Sequence, residues 1–129
     1  MGTSQSPAAR WLSKARQDLE AAQRATAPPP LSAVACFHAQ QAAEKSLKAV
    51  AAHLGATRIP RTHSLLDLAQ LVRELGGQAP VGDESLAGLD PYAVQARYPD
   101  FPEPSSQAAE HAVELAREIV TWAADALSA

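Results

Sequence analysis

The stretch Phe37-His38-Ala39-Gln40-Gln41-Ala42-Ala43-Glu44-Lys45-Ser46-Leu47-Lys48 concentrates most of the groups in this chain that could do chemistry. Positions 37, 41, 44 and 48 are separated by four, three and four residues, so they share one face of a helix. Positions 38, 41, 45 and 48 form an overlapping stripe. Glu44 precedes Lys48 by four residues, the favourable order for an ion pair worth about 0.2–0.5 kcal/mol on an exposed face. Such a set can be the solvated side of an ordinary helix. It can also be a structured polar surface that holds a ligand or a partner. Phe37 and Cys36 stand beside the polar groups, and polar groups next to an apolar core need partners.

Two further groups lie downstream. His63 precedes an apolar-periodic segment, where it can help satisfy the first amides of a helix or face the same cleft as the polar stripe. Arg97-Tyr98-Pro99 leads a proline-rich stretch. It can anchor the loop, with Tyr98 packed and Arg97 paired to Asp100, or offer a planar guanidinium to a phosphate or a carboxylate. Other chemistry finds no support. No glycine-rich phosphate loop occurs. Histidines 38, 53, 63 and 111 with the single Cys36 show no zinc-ligand spacing, so no metal site is expected. No Ser/His/Asp set can be assembled.

These groups need helices to position them. The 129 residues suit one domain, and 47% are hydrophobic, much of that alanine, which favours close helix–helix approach. The net charge of −3 argues against broad phosphate binding. One cysteine excludes an internal disulfide and fits a reducing compartment. No run approaches a membrane span and the N-terminus lacks the apolar core of a secretory signal, so a cytoplasmic protein is expected.

Trp11, Ala15, Leu19 and Ala22 predict a helix from Pro7 to Thr26, capped by Ser6 and ended by Pro28-Pro29-Pro30. A second helix is expected over 31–54, with Ser32 as its cap and Gly55 closing it. A third spans 64–75, capped by Thr62 or Ser64 and stopped at Gly76-Gly77. Residues 83–96 should form two short pieces, because Pro91 fits only a first turn. Residues 97–105 must be loop, and a last helix runs from Ser105 or Ser106 to Leu127. No strand alternation is present. The expected fold is all-α: an up-and-down bundle of four main helices plus a short fifth, in one domain over 1–129 with frayed ends at 1–6 and 128–129.

The run CFHAQQAAEKSLKAVAAHLG, followed by PRTHSLLDLAQ and then YAVQARYPD, resembles the HEPN domain family of small helical bundles. The likeness covers nearly the whole chain. It implies a dimeric bundle that works with a small nucleotidyltransferase as its partner in a two-component, toxin–antitoxin-like system. It implies no cofactor, with a nucleotide as the ligand to consider. The matched positions are Phe37, His38, Gln41, Glu44, Lys45, Lys48, His63, Arg97 and Tyr98, and all of these but Phe37 become the candidate ligand- or partner-binding residues. Ribonuclease members carry an Arg, four residues, then His, near the start of a late helix. The match here is Arg58 to His63. It departs from the pattern, because Ile59 is not polar, Pro60 forbids a regular helix, and the third helix still lies ahead. It is read as coincidence, and no residue is assigned as catalytic. The alternative is a metal-independent ribonuclease acting on RNA, with His63 as acid/base and Arg58 stabilising charge.

Overall fold

The computed structural model describes residues 5–129. Local signals place nearly every helix end. Helix α1 runs Pro7–Ala25, and the Ser6 hydroxyl accepts from the Ala9 N–H at 3.1 Å. Helix α2 runs Ser32–His53. Gly55, at φ 101°, turns the chain away with the left-handed conformation that glycine adopts without cost. Helix α3 runs Leu65–Glu74, and Ser64, not Thr62, is its cap, accepting from the Asp67 N–H at 3.2 Å. Helices α4, Asp83–Leu89, and α5, Tyr92–Gln95, are the two expected short pieces, with Pro91 just ahead of α5. Helix α6 runs Ser106–Ser128, capped by Ser105, which accepts from Ala108 N–H at 3.0 Å.

One expectation about caps differs from what forms. Of the ends expected to fray, residues 1–4 lie outside the described residues, the Ser6 hydroxyl caps α1, and Ser128 is the last residue of α6. At the start of α2, Ser32 is not the cap. Leu31 holds that position without a side-chain bond, and Ser32 is buried in the first turn. The acceptor comes instead from the proline-rich loop, where Glu103 Oε1 takes the Ala33 N–H at 3.3 Å. A carboxylate there satisfies an otherwise unpaired amide and is favoured by the partial positive charge of a helix N-terminus.

Helix α2 is the axis of the bundle. It packs against α1, α6, α3 and the short α4 and α5, while α1 and α6 also touch each other. No strand forms among the described residues, and none of their helices is long and apolar enough to cross a membrane. The core is alanine-rich: Ala15 and Ala22 on α1, Ala35, Ala39, Ala42, Ala43 and Ala49 on α2, and Ala116 and Ala123 on α6 are all at 0% exposure. Each buries little area, but together they let the helices approach closely. Leu47, Leu65, Leu68, Leu86, Leu89 and Ile119 supply the bulk, at about 1.5–3 kcal/mol for each fully buried side chain.

Such close packing leaves no room to grow. Ala15→Leu is expected to lower stability by about 1–3 kcal/mol, read as a lower urea midpoint. The same change at Ala87, exposed on α4, should stay within about 0.5 kcal/mol.

Candidate functional site

The polar stripe of α2 is not a solvated face. Glu44 and Lys48 are buried, at 3% and 6% exposure, and Gln40 is fully buried. The i,i+4 pair therefore lies inside the protein, with Lys48 Nζ donating to Glu44 Oε2 at 3.0 Å. The other carboxylate oxygen, Oε1, meets His63 Nδ1 at 2.9 Å and the Gln41 amide at 3.5 Å. Gln41 also donates to Gln40 Oε1 at 2.7 Å, and Gln40 donates to the His63 carbonyl at 3.0 Å. Trp11 of α1 lays its ring over Lys48, 5.2 Å from Nζ to the centroid. These contacts fasten α1, α2 and the 54–64 connection into one clasp. His63 itself stays open, with 66% of its side chain exposed.

A second network lies along the α1–α2 seam. Asp18, buried on α1, accepts from Lys45 Nζ at 2.5 Å and pairs with His38 Nδ1 at 2.8 Å. Asp18 escapes sequence analysis because Leu19 was placed on the apolar stripe and Asp18 off it. The buried face is Ala8, Leu12, Ala15, Asp18, Ala22 and Ala25, and Trp11 and Leu19 flank it half-buried. The spacing 11-15-18-22 already marks Asp18 as facing inward, and that is the signal that could have found it. Gln40 is missed for a different reason: its only distant partner among the described residues is a backbone carbonyl, which no motif shows.

Arg97 and Tyr98 are not drawn into either network. The Arg97 guanidinium lies over the Phe37 ring at 5.9 Å, and Phe37 meets His38 edge-on at 5.2 Å. Arg97 forms no ion pair with Asp100 among the described residues, and Tyr98 is 54% exposed rather than packed. Of the predicted site residues, Gln41, Glu44, Lys48 and His63 therefore converge directly. His38 and Lys45 join through Asp18, and Arg97 only borders the stripe through Phe37.

Arg58 lines a shallow depression with Pro60, Asp67, Leu71 and Glu74, and His63 is not part of its wall. What His63 has is a carboxylate at Nδ1, which orients the ring, while 66% of its side chain stays exposed. No group of three metal-ligating side chains forms among the described residues.

Burial shifts three groups near α2. Asp90 accepts from the Leu65 N–H at 2.8 Å and so supports the start of α3. Its partial desolvation, outweighing that bond, raises its carboxyl above the ordinary range, with Asp67 and Glu44 adding repulsion. Desolvation likewise lifts the Cys36 thiol and the Tyr92 hydroxyl, which lie against each other.

The HEPN domain model matches residues 8–126. In structure the chain is similar to a protein from Thermus thermophilus, 33% identical over 95% of this chain and 99% of that one, with a TM-score of 0.75. It is also similar to an archaeal HEPN homologue, 26% identical over 92% and 95% of the two chains, TM-score 0.67. A HEPN domain protein from Thermotoga maritima is 26% identical over 92% and 98%, TM-score 0.63. No curated protein matches the sequence.

A buried ion pair costs most when one partner is lost. Glu44→Gln or Lys48→Met alone should destabilise by about 3–5 kcal/mol in urea unfolding, and replacing both by apolar residues of similar volume should recover most of that. Asp90 gives a pH signature. Its folded pKa is raised, so the folded state binds more protons than the unfolded one above the usual carboxylate range. Its stabilising contribution is then present at low pH and lost as pH rises through the folded value. Asp90→Asn, which keeps the acceptor for Leu65, should gain on wild type as pH is raised from about 4 to 7, the lower bound being the ordinary Asp value.

Proposed function

The chain belongs to the HEPN domain family, and we propose that it is a binding and interaction module, working as a homodimer in the cytoplasm with a small nucleotidyltransferase in a toxin–antitoxin-like pair. One observation carries this reading. The polar stripe is a finished, internally paired surface, with both carboxylates neutralised and the half-exposed edges of His38, Gln41, Lys45 and His63 offered outward. A surface of fixed donors suits recognition, because little side-chain freedom remains to be lost on binding. Glu44, Lys48, Gln40 and Asp18 then act as supports, and a nucleotide or the partner would meet the outer four. The buried, unpaired Cys36 fits a reducing compartment.

A second reading keeps the ribonuclease alternative in play. The Glu44–His63 contact is the arrangement by which a carboxylate orients a general base, on a ring that is largely exposed. RNA cleavage by the purified protein in the presence of a chelator, abolished by His63→Ala and Arg58→Ala, would favour this alternative over the interaction module.

The interaction module predicts that a small nucleotidyltransferase encoded beside this chain co-purifies with it after co-expression. Gln41→Ala and Lys45→Ala should each weaken that complex or the binding of ATP about tenfold, roughly 1.4 kcal/mol, in titration calorimetry. If no complex forms and ATP leaves the protein unchanged, the proposal is wrong.

A further inference from the structure

At the N-terminal end of α2, away from the polar clasp, the 96–105 loop folds over a cavity of about 320 Å³. Tyr92 of α5, Tyr98, Phe101 and Glu103 of the loop and Ala33 of α2 contribute to its wall. Tyr98 and Phe101 meet edge to face, 6.3 Å between centroids, yet remain 54% and 44% exposed. Leu31 and Val34, which flank Ser32 and Ala33, and Val94, between the wall residues Tyr92 and Gln95, are exposed as well. The Glu103 carboxylate is fixed by its bond to the Ala33 N–H. Neither Glu103 nor Asp100 has a cationic side chain paired to it among the described residues. The nearby cation, Arg97, contributes to the wall, but its guanidinium is drawn over Phe37, a ring outside the cavity.

Three aromatic rings and a held carboxylate define the chemistry. Ring faces carry negative potential and attract a cation within about 6 Å of the centroid. An anion would be repelled by the Glu103 carboxylate, whereas a cationic head can pair with its second oxygen, which the Ala33 N–H leaves free. The volume falls at the low end of small-ligand sites, roughly 300–1,000 Å³, and has room for an apolar stem behind the charge. We propose that this cavity binds an organic cation, an alkylammonium or guanidinium group on an apolar stem, presented by a free polyamine or by a basic side chain of a partner protein. The proposal does not depend on the clasp or on the nucleotidyltransferase.

The test is a titration of the full-length ¹⁵N-labelled chain, followed by NMR, with spermidine in one arm and a blocked lysine peptide in the other. Saturable shifts confined to residue 33 and residues 92–104 are expected. Glu103→Gln and Tyr98→Leu should each weaken binding roughly three- to tenfold, the range of one cation–π or carboxylate contact. Tighter binding of spermidine identifies a free polyamine as the source; tighter binding of the peptide identifies a protein side chain. Should Glu103→Gln loosen the start of α2, Tyr98→Leu and Phe101→Leu, which leave that cap intact, decide the matter. Absence of shifts with either probe, or shifts indifferent to these variants, overturns the proposal.

Discussion

A carboxylate taken out of water must be met by donors, and Glu44 imposes that condition on the centre of the bundle. Its two oxygens are answered by Lys48, His63 and Gln41. Lys48, buried in turn, is covered by Trp11. The pair contributes little net stability, because desolvating both charges offsets most of their attraction. Both charges lie on α2, so register depends on what meets them from outside: sliding α1 along α2 would strand Asp18, and drift of the 54–64 connection would part His63 from Glu44 and Gln40 from the His63 carbonyl.

The alanines make this arrangement reachable. Small residues at the contact faces bring α1 and α2 close enough for a short Asp18 side chain to reach Lys45 and His38 across the seam. Larger residues would separate the helices and leave Asp18 buried without donors. The same economy explains why exposed apolar and aromatic groups gather elsewhere, at the 96–105 loop and the start of α2. The alanine interfaces have no space for them, and the prolines keep that loop from becoming a further helix.

The site was legible in part, and the reason differs from residue to residue. Glu44 and Lys48 were visible as a pair, but an i,i+4 pair has the same spacing whether exposed or buried. Only Trp11 and His63, placed by the fold, close it off. Asp18 could have been found from its place on the inward stripe of α1. Glu103 could not. A glutamate in a proline-rich loop carries no sign that it will reach the first turn of α2, and the adjacent Ser32 offered a more local cap. Arg97 shares the stripe's neighbourhood through Phe37 but makes no hydrogen bond to it.

What the sequence determined by itself is the set of helices. Periodicity, serine caps, glycine stops and proline breaks act over about one turn, so the ends of α1, α3, α4, α5 and α6 are legible from neighbouring residues, with Asp90 adding a distant acceptor at the start of α3. Burial and partnership were decided by tertiary structure. The bonds that make the site join residues 19, 20, 23 and 27 positions apart, and the one that caps α2 spans 70. No local rule reaches that far. Those pairs exist because close-packed alanine faces set the spacing between helices, and the desolvation cost of each buried charge then selects the one register in which every charge is met.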